Sequence, residues 1–205
     1  MTALTTAVLQ GPTPMISQAT SKKAPSEEAL IEQSRRGDRA AFGVLVQRYQ
    51  DAVYNLCYRM LGDFHEAEDA AQEVFLKVYR RLHTYNPRYR FSTWVLSIAS
   101  HHCIDRLRRR RVTWVSLETP EIKHVHASSP PPEEEALRRE EADRVQRYLD
   151  QLSPEYRAVL VLRYWYDLCY KEIGQLLGMS EGAAKTKTHR ARQRLGMLLS
   201  KERKV

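Results

Sequence analysis

The spacing of apolar positions divides the chain into helices with a few abrupt breaks. Ala29 and Leu30 begin a helical spacing from Glu27 that stops at Arg36-Gly37-Asp38. Asp38 is placed to cap the next helix, in which Phe42, Leu45, Val46, Tyr49, Val53, Leu56, Cys57 and Met60 recur at steps of three and four. Gly62-Asp63 ends it. A third helix, His65 to about Leu82, gathers Ala67, Ala70, Ala71, Val74, Phe75 and Val78 on one face and leaves Asp69, Gln72, Glu73 and Arg80 outside. Pro87 breaks the loop His83–Arg90, and the preceding Asn86 is biased to extended geometry. The spacing then predicts a fourth helix from near Ser92. It carries Trp94, Val95, Ile98 and Ala99 inward and ends in a basic run with five arginines among residues 106–111. Like charges so crowded repel one another unless they meet anions.

Residues 112–136 lose this period, and Ser128-Ser129-Pro130-Pro131-Pro132 reads as an extended strap. Helix resumes near Ala136 and runs through Val145, Tyr148, Leu149 and Leu152. Ser153-Pro154-Glu155 is a start signal, with a cap, a proline at the first position and an early acid. Tyr164-Trp165-Tyr166 reads as core and turn packing. Beyond it, Ile173, Leu176 and Leu177 share a face, Gly178 supplies an exit with positive φ, and Ser180 caps a further helix. Two helices joined by a short turn containing Gly form the helix-turn-helix pattern, whose second helix enters the major groove of DNA. On that helix Ala184, Ala191 and Leu195 are spaced for an inner face, while Lys185, Thr186, His189, Arg190 and Gln193 lie on another side. Lys and Arg can bond guanine edges, and Thr can contact bases or phosphates. The expected fold is all-α, with two small helical domains at 26–111 and 137–205, a linker at 112–136 and a disordered tail at 1–25.

Composition narrows the function. The net charge of +8, with 28% charged residues, favours an anionic partner, either nucleic acid or a membrane surface. No run of 18 apolar residues exists to cross a membrane, and the first residues do not resemble a signal peptide. Cys57, Cys103 and Cys169 are far apart and form neither disulfide spacing nor a metal clip, which suits a reduced cytoplasm. His101-His102-Cys103 suggests a metal, but neighbours on a helix point about 100° apart and cannot converge on one ion. No cofactor and no catalytic residue are expected.

Three motifs in order carry a resemblance. Ala67-Glu68-Asp69-Ala70-Ala71-Gln72-Glu73-Val74-Phe75-Leu76 resembles the core-binding segment of sigma-70 family region 2. Phe91-Ser92-Thr93-Trp94-Val95-Leu96-Ser97-Ile98-Ala99, followed by Asp105-Arg106-Leu107-Arg108-Arg109, resembles the promoter-melting segment of that region. Leu152-Ser153-Pro154-Glu155-Tyr156-Arg157-Ala158-Val159-Leu160 and the helix-turn-helix resemble region 4. With these two regions and a short strap, the chain is similar to extracytoplasmic-function (ECF) sigma factors over roughly residues 26–200.

The resemblance implies a protein that binds bacterial RNA polymerase core and directs it to promoters, under control of an anti-sigma factor. Asp69, Gln72, Glu73 and Phe75 match core-docking positions. Tyr85, Asn86, Arg88, Tyr89, Arg90, Trp94, His101, Arg106 and Arg109 match the surface that captures the melted −10 element. Aromatic faces beside cations suit single-strand stacking. Lys185, Thr186, His189 and Arg190 match the −35 reader. His101 stands where the family often has Asn, Ala183-Ala184 replaces a common Thr-Val pair, and Thr188 replaces an inward apolar residue. The competing expectation is a helix-turn-helix regulator that acts without joining the polymerase.

Overall fold

The computed structural model describes residues 25–114 and 143–202, and among them every regular element is helical. The first module contains α1 (Glu27–Arg35), α2 (Arg39–Leu61), α3 (Phe64–Arg81), a 3-10 turn (Leu82–Thr84) and α4 (Phe91–Trp114). The second contains α5 (143–150), α6 (Pro154–Tyr164), α7 (Tyr170–Leu177) and α8 (Glu181–Glu202). The expected tail, and most of the expected linker with the start of its following helix, lie outside the described residues.

Local signals account for the helix ends. Ser26, Asp38, Asp63 and Ser153 each accept a hydrogen bond from a first-turn amide of the helix they precede, which satisfies donors the helix itself cannot. Gly62 ends α2 in the left-handed region at φ 80°, where a side chain would be strained. The fourth helix begins at Phe91 and continues to Trp114, three residues into the stretch expected to be linker.

Helix α2 is the axle of the first module. It packs against α1, α3 and α4, and on its far side against α6. Leu45, Val53, Leu56, Cys57 and Met60 are at most 1% exposed, and Ala67, Ala70 and Val74 of α3 close over them. The small residues of α3 let the two helix backbones approach closely. Cys57 and Cys103 are both buried free thiols, and the Cys103 thiol is held well above its usual pKa by its hydrogen bond to Cys57 and by burial. In the second module Leu149, Val159, Leu160, Leu162, Ile173, Leu176 and Leu195 form the centre. The two centres meet, giving one continuous apolar core.

Leu56 is fully buried where α2 is enclosed by other elements. Leu56→Ala should lower unfolding free energy by about 2–5 kcal/mol through lost transfer energy and an unfilled cavity. Urea unfolding followed by circular dichroism checks this, with the midpoint falling while the slope stays constant.

Candidate nucleic-acid interface

The helix-turn-helix is built by close approach. Gly178 caps α7 at φ 68°, and a Cβ at Gly174 would meet the Met179 carbonyl oxygen at 2.7 Å. Glycine at 174 therefore lets the turn fold against its own helix. Ser180 Oγ accepts from the Ala183 amide at 3.2 Å and starts α8. The buried side of α8 is Ala184, Thr188, Ala191 and Leu195. Thr188 occupies its inward position without an unmet polar group, since its hydroxyl donates to the Ala184 carbonyl at 2.8 Å. Lys185, Thr186, His189 and Arg190 are all exposed on the opposite side. Thr186 and Arg190 also line a hollow of about 330 Å³ with Tyr156, Gly182, Ala183 and Lys187. Tyr156 and Lys187 were not singled out in the sequence, because Tyr156 belongs to another helix and only folding sets it beside α8.

The loop before α4 divides its residues differently from the sequence expectation. Tyr85 is not a free aromatic face. It is 8% exposed, meets Phe91 edge-on at 5.1 Å and Trp94 at 5.4 Å, and its hydroxyl donates to the Tyr89 carbonyl at 2.7 Å. The Arg35 guanidinium lies over the ring, 5.8 Å from its centre, and donates to the Tyr85 and Leu82 carbonyls. Tyr85 thus holds the loop closed from beneath, a role set by α1 and α4 that loop composition cannot reveal. Asn86 Oδ1 accepts from the Arg88 amide at 3.0 Å and forms a local turn. Tyr89 is 49% exposed, and Arg88 and Arg90 are exposed beside it in sequence. Trp94 is half-buried against Phe91.

The arginine run finds carboxylates. Arg110 pairs with Glu66 at 2.8 Å, and Arg106 lies 3.9 Å from both Glu66 and Glu73. Arg108 donates twice to Glu155 Oε1, at 3.0 and 2.7 Å. Burial pushes the Glu155 carboxyl up, but the Arg108 hydrogen bond and its own helix-start amide outweigh this and leave it below the usual range. Arg106, expected at the −10 surface, therefore turns toward α3, whereas Arg109 stays exposed. His101 is exposed, with Nδ1 2.8 Å from the Ser97 carbonyl, which must accept its proton.

On α3, Asp69, Gln72 and Glu73 form an exposed polar row and Phe75 is half-buried. Two large apolar side chains, Leu76 at 58% and Tyr79 at 37%, extend that row. Their positions off the inner-face spacing were the available signal. Glu73 also lies 3.5 Å from Nε2 of buried His102, while Lys77 donates to His102 Nδ1. Lys has no acceptor, so Nδ1 must accept and Nε2 carries the proton. No group of side chains that could hold a metal occurs among the described residues; His101 is exposed, whereas His102 and Cys103 are buried. No described helix is long and apolar enough to cross a membrane.

Two helical modules, one ending in a helix-turn-helix with an exposed basic row, define a DNA-directed protein. The sequence matches Sigma-70 region 2 over residues 45–113 and Sigma-70 region 4 over residues 142–195. It is 36% identical over 172 residues to the ECF RNA polymerase sigma factor SigW of Bacillus subtilis, covering 80% of this chain and 92% of that protein. The RNA polymerase sigma-H factor of Pseudomonas aeruginosa is 32% identical over 180 residues, with 84% and 93% coverage. Among solved structures, CnrH in complex with the cytosolic domain of CnrY aligns with a TM-score of 0.61 at 26% identity, covering 83% of this chain and 95% of that one. The sigma factor RpoE of Bartonella quintana, solved with the anti-sigma factor NepR, shares the fold at 17% identity and a TM-score of 0.59, with 78% and 96% coverage. The chain belongs to the ECF sigma factors of the sigma-70 family. A regulator independent of polymerase is accordingly not favoured.

Burial first, then the neighbouring Lys77 cation, lowers the His102 pKa below its ordinary value near 6.5. Below about pH 6.5 the unfolded chain takes up a proton that the folded chain refuses. The stability contributed by neutral His102 is therefore full above that pH and is lost as pH falls. His102→Gln should flatten this part of the profile, measured as the difference between the two chains' unfolding free energies from pH 7.5 to 5.

Proposed function

We propose that this protein is the promoter-recognition subunit of a bacterial RNA polymerase, with the chemistry left to the polymerase core. The reading rests first on family membership. The observation that carries it further is the exposed basic row Lys185, Thr186, His189 and Arg190, borne by a helix whose other side is anchored in the core. A helix start with exposed donors is what major-groove readout requires. These four side chains read the −35 element, and Lys187 and Tyr156 beside them contact the phosphate backbone.

The α3 row Asp69, Gln72 and Glu73, with Leu76 and Tyr79, docks on polymerase core, a polar edge with an apolar anchor. Tyr89, Arg88 and Arg90 take an unpaired base of the −10 element, with Trp94, His101 and Arg109 alongside. Tyr85 supports that surface from within, and Phe75 and Arg106 support the docking and melting surfaces in the same indirect way. CnrH was solved with the cytosolic domain of CnrY and the Bartonella RpoE with the anti-sigma factor NepR, and an anti-sigma factor is proposed as the regulator here. The chain works in the cytoplasm, where polymerase is.

Run-off transcription with core polymerase over a genomic promoter pool tests the reading, and its absence with every promoter would overturn it. Asp69→Ala with Gln72→Ala should weaken core binding while the melting temperature stays nearly constant, since exposed substitutions shift stability by less than about 0.5 kcal/mol. A melting shift of many degrees with unchanged core affinity would remove the docking role.

The loop gives a sharper contrast. Stacking contributes about 1–3 kcal/mol per base, close to the cost of unstacking one. Tyr89→Ala should slow open-complex formation on duplex promoter at unchanged stability, and a template mismatched across the −10 element should restore much of the rate. Tyr85→Ala should instead lower the melting temperature. Permanganate reactivity of melted thymines, with calorimetry on both variants, separates the two.

A further inference from the structure

Helix α4 places a polar side chain behind the docking row of α3. His102 is 8% exposed, and its imidazole brings two ring nitrogens out of water. An apolar side chain would fill this place without that cost. Lys77 meets one nitrogen by donating to Nδ1. The other, Nε2, carries the proton and is buried without a hydrogen-bond partner. It faces Glu73 Oε2 at 3.5 Å, just beyond ordinary hydrogen-bond length.

Glu73 is held differently from the other carboxylate on this side of α3. Arg110 takes Glu66 Oε1 at 2.8 Å, so that acid is committed within the module. The Glu73 side chain is 53% exposed, and each of its oxygens faces a donor on α4. His102 Nε2 lies 3.5 Å from Oε2, and Arg106 Nη1 lies 3.9 Å from Oε1. The carboxylate is oriented from behind and remains open to a partner on its exposed side.

Orientation in advance has a physical use. A glutamate on a helix surface samples several rotamers and loses that freedom when a partner fixes it. A side chain already held in place loses less, and this is how preorganised surfaces gain affinity. A buried ring suits the task because packing fixes it, whereas two long exposed side chains must both be ordered to meet. Lys77 stands one turn after Glu73 on α3 and completes the arrangement. By occupying Nδ1 it keeps the proton on Nε2, toward the carboxylate. With the proton on Nδ1, the Nε2 lone pair would face Oε2 and repel it.

We propose that His102, with its tautomer set by Lys77, is a positioning residue for polymerase docking: its buried Nε2–H orients the Glu73 carboxylate toward the polymerase core. The proposal rests on the docking role assigned to the α3 row above, and its test keeps the two separable.

His102→Leu removes the donor and fills the site with a side chain that needs no polar partner. Titration of the full-length chain with core polymerase, followed by fluorescence anisotropy, should show binding weakened about three- to tenfold, the range for ordering one flexible side chain. The melting temperature should not fall, so that loss of fold does not account for loss of affinity. His102→Gln should recover most of the affinity, because its amide can donate to Glu73 while accepting from Lys77. Glu73→Ala should weaken binding too, and adding His102→Leu to it should change nothing further, since the ring acts through the carboxylate. Nitrogen NMR of the imidazole should find the proton on Nε2 in the wild type. Lys77→Met should shift it toward Nδ1 and weaken core binding in step.

Wild-type affinity in His102→Leu, alongside a weakened Glu73→Ala, would overturn the positioning role and leave the docking row standing. So would an equal loss from His102→Leu with and without Glu73, because the ring would then act elsewhere. If His102→Leu melts early, Lys77→Met decides: a shifted tautomer at wild-type affinity overturns the proposal. If Glu73→Ala binds core as tightly as the wild type, the docking role of that carboxylate falls and the positioning role falls with it.

Discussion

Burial around α2 is the constraint on which the rest depends. A 23-residue helix with Leu45, Val53, Leu56, Cys57 and Met60 inaccessible cannot exist alone in water. Each fully buried aliphatic side chain of that size contributes about 1.5–3 kcal/mol when covered. Helices α1, α3 and α4 supply the cover, and in doing so fix the surfaces that face outward. The polar row of α3 is exposed because its alanines are held against α2. The loop at Tyr89 has a defined place because Tyr85 and Phe91 are held in the same core.

Charge is disposed with equal economy. A basic end on α4 would disrupt a small helical module through self-repulsion, yet Arg106, Arg108 and Arg110 each reach a glutamate. These pairs are partly exposed, and such pairs contribute little stability, about 0–1 kcal/mol each. Their effect is on geometry. They commit three cations to the protein, while Arg88, Arg90 and the α8 row stay exposed. The buried Arg157 is different, because its charge is removed from water and matched by Asp150 and a carbonyl. Removing one partner of such a pair leaves an uncompensated buried charge, a cost of about 3–5 kcal/mol. Desolvation lowers the Arg157 pKa in spite of Asp150.

Helix by helix, much of this was legible in the chain. Apolar residues at steps of three and four are a statement about one face of one helix, and most of that face was buried, with Phe42, Val46, Phe75, Trp94 and Leu177 half-buried at its margin. Asp38, Gly62, Ser153, Gly178 and Ser180 marked their boundaries because capping is chemistry between neighbours in sequence. The outward rows on α3 and α8 followed from the same periodicity. The motifs, taken in order, pointed to the sigma-70 family before any packing was known.

What the sequence could not decide is how one helix end meets another. Composition made Tyr85 and Tyr89 equivalent, and only the approach of α1 and α4 buried one ring and left the other outside. A run of arginines announced a need for anions without saying which, and folding chose Glu66, Glu73 and Glu155. Nothing in the spacing of Gln146 or Arg157 foretold that they would end a helix more than eighty residues earlier. Periodicity and capping are short-range and written in adjacent residues. Pairings across the fold depend on where whole helices come to rest, and that was decided by the shared burial of many side chains at once.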